Sequence, residues 1–341
     1  MSTELVPFQT LYLEPSKNGL TRPKSVRGSG YKMVNMGEIF AYDRINNPKM
    51  ELVEMNDKEL GSFSLKRGDL LFARQSLVVE GAGKCSIVLE VPETTTFESH
   101  LIRVRLDPTK VDSKFYYYYF QSYVGKGKIR SLVNQVAAAG IRGSELAKLP
   151  IHYLPLEQQR KIADILSAYD DLIENNTRRI ELLEGMARAL YREWFVEFRF
   201  PGHGALEGGV PQGWTAGRLG DYCFEIRRGV KPNEVDPETP YVGLEHIPRR
   251  SLALSEWGRA ADVQSTKLRF NAGEILFGKI RPYFHKVAVA PVSGVCSTDA
   301  IVIVPRAERW FSLVLACVSS DEFVAHSVQT SNGTKMKLQE F

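Results

Sequence analysis

The hydrophobic positions of this chain keep one strict rhythm between Pro155 and Phe198. Ile162, Leu166, Tyr169, Ile173, Asn176, Ile180, Leu183, Ala187, Leu190 and Trp194 follow one another in alternating steps of four and three. A mean step of about 3.5 residues is the seam of a coiled coil, not the broader stripe of an ordinary surface helix. Pro155 suits the first turn, where its missing N–H would be unpaired in any case. Glu157 near the start and Arg192 near the end follow the charge order that a helix dipole favours. At about 1.5 Å per residue the pattern predicts a rod on the order of 60 Å. Asn176, the polar position within the seam, reads as a register-setting residue.

The flanking patterns are shorter. Ser25 to Gly30 is a polar, glycine-bearing loop before a strand-like run, Tyr31 to Met36. Leu65 to Arg74 predicts a turn at Gly68 opening onto a short buried strand. Leu101 to Leu106 alternates like a half-buried strand. Phe115 to Val124 reads as one core helix with Phe115, Tyr118, Tyr119 and Tyr123 on its inner face, continued by Lys126, Lys128 and Arg130 on a basic face. The glycine- and proline-rich stretch Pro201 to Pro211 reads as a linker.

The second half then repeats the first. Gly68-Asp-Leu-Leu-Phe-Ala-Arg74 aligns with Gly273-Glu-Ile-Leu-Phe-Gly-Lys279 at an offset of 205 residues. Val34 to Ile39 aligns with Val242 to Ile247 at 208, Leu101 to Val104 with Ala300 to Ile303 at 199, and Ala139 to Arg142 with Asn332 to Lys335 at 193. A repeat of this length is a duplicated domain, because solenoid periods run about 20–50 residues. The expected organisation is a first domain at 1–150, a spacer helix at 151–200, a linker and entry segment at 201–217, and a second domain at 218–341. The falling offset places the start of a second rod just beyond Phe341. Three readings fit: an expressed fragment, a shortened chain, or a chain that pairs with itself through the rod. A largely apolar seam left in water is costly, so the chain alone is expected to self-associate or aggregate.

Composition changes this picture little. With 43% hydrophobic and 25% charged residues the 341-residue chain has room for two cores and a connector. The net charge of +4 is unevenly placed: counted along the chain, residues 1–150 carry 21 Lys/Arg against 16 Asp/Glu, 151–200 carry 7 against 9, and 201–341 carry 16 against 15. A basic first domain and an acidic rod are compatible with a nucleic-acid partner for the one and a protein partner for the other. Cys85, Cys223, Cys296 and Cys317 are scattered, which favours reduced thiols over a disulfide frame or a zinc site. No apolar run approaches the roughly 18 residues of a membrane span, and the first residues lack a signal-peptide pattern, so a cytoplasmic protein is expected.

Several separated segments resemble one family. Leu154-Pro-Leu-Glu-Gln-Gln-Arg-Lys-Ile-Ala-Asp-Ile-Leu166 and Met186-Ala-Arg-Ala-Leu-Tyr-Arg-Glu-Trp-Phe-Val-Glu-Phe198 resemble the first conserved region of type I restriction–modification specificity subunits. Val210 to Trp214 with Leu219 to Asp221 is similar to the opening of their second target-recognition domain, and Gly273 to Pro282 and Val295 to Val304 resemble further segments of it. The resemblance implies duplicated α/β (α+β) target-recognition domains separated by a long coiled-coil spacer helix. It implies that two domains each read half of a bipartite DNA site, in a bacterial or archaeal cytoplasm. The subunit itself is then non-catalytic and without a cofactor. It docks two methyltransferase subunits, in which S-adenosylmethionine is expected, and a restriction subunit joins for cleavage. Ile162, Leu166, Tyr169, Ile173, Ile180, Leu183, Leu190 and Trp194 are the expected partner-binding surface. The resemblance also implies a second conserved helical region that packs antiparallel on the first, and the offsets lead one to expect it beyond Phe341.

Candidate chemistry fits that reading. There is no Asn/Asp-Pro-Pro-Tyr/Phe motif, so an adenine-methylating site belongs in another chain. Gly81-Ala-Gly-Lys-Cys85 lacks the first glycine and the Ser/Thr of a phosphate loop and reads as a plain turn. The six histidines form no metal-ligand spacing. For DNA, arginine and glutamine can make bidentate contacts to base edges while lysine serves mainly phosphates. The candidates on or beside glycine-bearing loops are Arg27, Lys32, Arg74, Gln75, Lys126, Lys128 and Arg142 in the first domain. In the second they are Arg227, Arg228, Lys231, Lys279, Arg281, Lys286 and Lys335. Lys279 and Lys335 are the repeat counterparts of Arg74 and Arg142, and for each residue the alternative is a solvated surface side chain. The run Phe115 to Phe120 is read as core, with base stacking on single strands as the alternative.

Overall fold

A computed structural model of the chain describes residues 4–76, 81–135, 139–202, 204, 206–207 and 209–330. Two compact units divide it, Met1–Ile173 and Glu174–Phe341, with the division inside the long helix Leu156–Tyr191. Each unit is a mixed α/β body with its own apolar core.

The first unit is built on a five-stranded sheet in the order Tyr12–Asn18, Leu101–Leu106, Leu70–Ala73, Cys85–Glu90, Arg44–Asn46. The second has a four-stranded sheet in the order Cys223–Ile226, Ala300–Pro305, Ile275–Gly278, Val287–Val289. The first four strands of the one match the four of the other in order, and the aligned segments 70–73 and 275–278 lie inside the sheet in both copies. Gly68 and Gly273 open those two strands with φ of 87° and 85°, a left-handed turn that favours glycine. The residue after each glycine closes the turn with its carboxylate: Lys66 N–H donates to Asp69 at 2.7 Å and Asn271 N–H to Glu274 at 2.9 Å. A second, partly parallel sheet also recurs, Lys32–Val34 beside Thr95–Phe97 and Tyr241–Val242 beside Val295–Cys296.

Several local expectations are corrected. The segment Ser25 to Gly30 is not a loop before a strand at Tyr31, because the strand already runs Arg27–Val34. Its register against the strand Glu51–Val53 shifts between Arg27 and Tyr31, where Gly28 and Gly30 take φ of 126° and 95°. The strand also ends before Met36, where the helix Met36–Ala41 begins; Glu38 accepts a hydrogen bond from Asn35 N–H and so favours a helix start. The strand Leu101–Leu106 is buried along almost its whole length, including Arg103, since it lies between two other strands and is covered on both faces.

The aromatic run is not one helix. Ser113–Gln121 ends at Ser122, whose extended backbone (ψ 162°) breaks the chain before a second helix, Tyr123–Arg130. Ser122 Oγ accepts from Gly125 N–H at 3.2 Å and caps that second helix. The break rotates the inner face, so Phe115, Tyr116, Tyr117 and Phe120 are buried and Tyr123 is 93% exposed. The second unit breaks its helix pair at the same place: Phe311–Ser319 and Asp321–Thr330 are separated by Ser320, which caps Phe323 N–H at 3.1 Å. Neither serine was singled out from sequence.

The helix Leu156–Tyr191 begins directly after Pro155, whose carbonyl accepts from Gln158 and Gln159 N–H. It ends in a wider turn, Arg192–Val196, with Glu197 N–H donating to Arg192 O at 2.9 Å. Its contacts to the first unit use a small and polar face. Gln159, Ala163 and Ser167 are buried, Gln159 accepts from Asp112 N–H at 2.9 Å, and Tyr118 O–H donates to Asp170 at 2.7 Å. Within the second unit Glu184 accepts from Leu252 N–H at 2.7 Å and from Ser251 O–H at 3.0 Å. The apolar seam is therefore not spent on either core. Ile162, Leu166, Tyr169, Ile173, Ile180, Leu183, Leu190 and Trp194 are all exposed, from 37% at Trp194 to 65% at Tyr169. The stretch after the helix, expected as a linker, contains a short hairpin pairing Leu206–Glu207 with Val210–Pro211. Among the described residues no single helix is long and apolar enough to cross a membrane.

Candidate nucleic-acid interface

Three of the basic-loop candidates of the first unit converge. Ala73 ends its sheet strand, and the next residues, Gln75–Ser76, join a small sheet with Ala139–Gly140 and Asn134–Gln135. Gln75 pairs with Gly140, and Ile141 N–H donates to Arg74 O at 2.9 Å. Arg74, Gln75 and Arg142, far apart in sequence, thus leave one loop cluster, with Gln75 and Arg142 exposed and Arg74 half-buried. Lys126 stands exposed on the second helix of the pair, and Lys128 beside it is half-buried.

Arg27 and Lys32 do not share that cluster. Arg27 donates to Asn35 at 3.1 Å, to Arg22 O at 3.1 Å and to Glu51, while Lys32 donates to Asn47 at 2.8 Å and pairs with Glu93 at 3.2 Å. Both residues lie on Arg27–Val34, the central strand of the smaller sheet.

In the second unit Arg227 is exposed and pairs with Glu225 at 3.1 Å, Arg228 pairs with Glu274 at 2.9 Å, and Lys231 is exposed at the start of the turn Pro232–Glu234. Lys279, Arg281 and Lys286 lie on the connection from Ile275–Gly278 to Val287–Val289, with Gly278 N–H donating to Lys286 O at 2.8 Å. Arg281 and His285 bracket the turn Pro282–Phe284 in left-handed conformations, φ 52° and 50°. Lys286 Nζ reaches Leu244 O; burial, then the nearby Arg249 charge, lowers its pKa. Lys335 lies outside the described residues.

The DNA-contact candidates read from sequence leave out Lys84, Arg249 and Arg250, and Arg130 is read there only as part of a basic helix face. Arg130 is four residues after Lys126 on one helix, a spacing that places both on one face. Arg249 stacks on the Phe284 ring at 4.0 Å, and Arg250 donates to His285 Nε2 at 3.1 Å and pairs with Asp321 at 3.0 Å. Nothing in their sequence neighbourhood announces those contacts.

His285 makes this region pH-sensitive. Burial first, then the Arg250 charge, lowers its pKa, and Asp321 opposes them. The folded state therefore prefers the neutral ring, and the unfolded chain binds the proton more readily. Stability from this group is present above the ordinary histidine range and is lost as pH falls through the lowered value. Thermal melts are expected to show the second unit weakening as pH drops below about 6.5, and His285→Gln is expected to flatten that part of the profile. A melting temperature with the same pH dependence in both proteins would contradict the assignment.

Comparison with known proteins agrees with this architecture. Residues 28–185 match the type I restriction modification DNA specificity domain. The specificity subunit of the type I restriction enzyme MjaIX from Methanocaldococcus jannaschii is 28% identical over 181 residues, which are 50% of this chain and 42% of that protein. The putative MjaX specificity subunit of the same organism is 27% identical over 227 residues, 64% of this chain and 53% of that one. The chain spans about half the length of these curated relatives. The crystal structure of the type I restriction–modification S subunit from M. genitalium superposes with a TM-score of 0.59 at 15% identity, covering 99% of this chain and 82% of that one, and so shares its fold. Residues 28–185 are thus similar to the type I restriction modification DNA specificity domain, and the chain as a whole resembles the specificity subunits of those systems in sequence and in fold.

Proposed function

We propose that this chain is the sequence-specific DNA-recognition subunit of a type I restriction–modification complex. The observation that carries the reading is the duplicated recognition fold, in which each copy presents basic side chains on the loops beyond the same sheet strand. Each domain reads base edges in one half of a bipartite site, and the helix between them in sequence sets the spacing. The exposed seam from Ile162 to Trp194 supports docking of protein partners, two methyltransferase subunits foremost, with a restriction subunit in the full assembly. The chain supplies no catalytic group, and S-adenosylmethionine binds in the methyltransferase.

The same seam favours a second reading, a coiled-coil adaptor without DNA specificity of its own. Mapping methylated adenines in the host genome, with this subunit present and deleted, separates the two. The recognition reading expects one bipartite motif to lose methylation on deletion, and an unchanged methylation map would overturn it. Within the motif, Arg74→Ala is expected to relax discrimination in one half-site by about 1–3 kcal/mol and to spare the other. Equal loss on every DNA sequence would instead make Arg74 a phosphate contact.

A further inference from the structure

The turn Gly81-Ala-Gly-Lys-Cys85, set aside as a phosphate loop on sequence grounds, borders a cleft of about 310 Å³ in the first unit. Lys84 lines it from the turn, Lys126 and Arg130 line it from the helix Tyr123–Arg130, and Gln121 and Asp43 complete its polar wall. Three cations face one carboxylate there, a local excess of two positive charges. Lys84 is already held, paired with Asp43 at 2.9 Å and donating to Phe40 O at 3.2 Å. Lys126 and Arg130 are exposed.

The floor of the cleft is rigid. Gly83 has φ 76°, and a side chain there would come within 2.2 Å of Ile129 Cγ2, so turn and helix are packed directly together. Cys85 at the base is buried, and that burial raises its thiol pKa well above the ordinary value, which keeps the sulfur neutral. The cleft adjoins the loop cluster already described: Ala73 N–H donates to Lys84 O at 2.9 Å, and Arg74 follows directly.

The second copy of the fold tells whether these charges are structural. Matching the two serine caps, Ser122 and Ser320, places Lys126, Lys128 and Arg130 opposite Val324, His326 and Val328. The same helix pair folds in the second unit without any of those three cations. The fold therefore does not require them, and a basic cleft beside exposed base-reading candidates has a ligand chemistry of its own.

We infer that this cleft seats a phosphate of the DNA backbone, gripped by Lys126 and Arg130 and anchored by Lys84. The inference rests on the DNA-recognition reading and assigns the cleft a positioning role: it holds the duplex in register while Arg74, Gln75 and Arg142 meet base edges. The test measures binding of the full chain, with its methyltransferase partner, to a mixed-sequence pool of duplexes and to its methylated motif. Fluorescence anisotropy between about 50 and 200 mM salt reads the counterion release. Lys126→Ala/Arg130→Ala is expected to weaken binding on the order of tenfold on both DNAs. It is also expected to reduce the slope of log affinity against log salt by roughly 2. The control pair Lys49→Ala/Lys58→Ala, exposed cations outside the cleft, is expected to change little.

Wild-type binding with no loss in the cleft variant overturns the phosphate seat and leaves DNA recognition standing. Equal losses in the cleft and control variants overturn it too, since net charge alone then accounts for the effect. Loss on the motif alone makes these residues base readers and likewise overturns it. Absence of DNA binding by the wild-type assembly removes the recognition reading itself. Saturable binding of inorganic phosphate by calorimetry, abolished in the variant that still binds DNA normally, assigns the cleft to a free anion and overturns the DNA assignment.

Discussion

Phe72→Ala is expected to lower the stability of the first unit by about 3–5 kcal/mol, the range for deleting a fully buried phenylalanine. Phe72 has no exposed surface and lies on the strand Leu70–Ala73 between two neighbouring strands. Its ring meets Phe120 edge-on at 5.1 Å and Phe8 at 6.3 Å, so the deletion removes aromatic contacts as well as buried area. The cavity cannot collapse easily, because the strand is held on both sides. The repeat provides a matched experiment. Phe277 occupies the same place in the second sheet, is 1% exposed, and meets Phe323 edge-on at 5.7 Å. Phe277→Ala is expected to cost a similar amount in its own unit. Hydrogen exchange resolved by peptide should show Phe72→Ala loosening the strand Leu101–Leu106 while Ile275–Gly278 keeps its protection, with the reverse for Phe277→Ala. Uniform loss across both sheets would contradict two separate cores.

Asp69→Ala is expected to cost about 3–5 kcal/mol for a different reason, the loss of the buried one of the two carboxylates that compensate the Arg105 cation. Asp69 is fully buried and accepts from Lys66 N–H and from both Nε and Nη2 of Arg105, each at 2.7 Å. Burial works against the Arg105 charge, yet the Asp69 hydrogen bonds and charge outweigh it and raise the arginine pKa. Arg103 beside it is less well compensated: burial, then the Arg105 charge, lowers its pKa. Glu14 bridges the pair, accepting from Arg103 at 2.6 Å and from Arg105 at 2.7 Å. Asp69→Asn keeps an acceptor for Lys66 N–H and should cost less, about 2 kcal/mol. Glu274→Ala in the second unit, where Arg228 is more exposed, should also cost less, about 1–3 kcal/mol. Urea unfolding of the three variants checks the order. A loss for Asp69→Ala no larger than for Asp69→Asn would show that the charge pair alone, and not the turn hydrogen bond, carries the stability.

The serine breaks show why part of the fold was hidden. Phe115 to Arg130 has an unbroken helix-compatible pattern, and serine is not a strong breaker by itself. The break forms because the helix Tyr123–Arg130 must pass close to the first: a side chain on Gly125 would come within 2.0 Å of Tyr119 O. That close approach is a packing fact between two helices and leaves no periodic trace. Arg103 is similar. A charged residue in an apolar strand reads as facing water, and only its acceptors, the Glu14 carboxylate and the Ser62 and Ser64 carbonyls, brought to it by the fold, let it lie inside.

What local order decides, the residues announce by themselves. The seam from Ile162 to Trp194 follows from a period of 3.5, and the duplicated sheets follow from glycines and apolar runs recurring at offsets near 200, because backbone sterics and apolar burial act on neighbours along the chain. What depends on distant residues meeting, only the tertiary structure decided. It selected the polar face of the long helix for contact and left the seam exposed. It gathered Arg74, Gln75 and Arg142 at one loop cluster with the Lys126–Arg130 cleft, and it engaged Arg27 and Lys32 elsewhere. A basic side chain carries the same charge wherever it falls in sequence, and only the fold determines which carboxylates lie within reach of it.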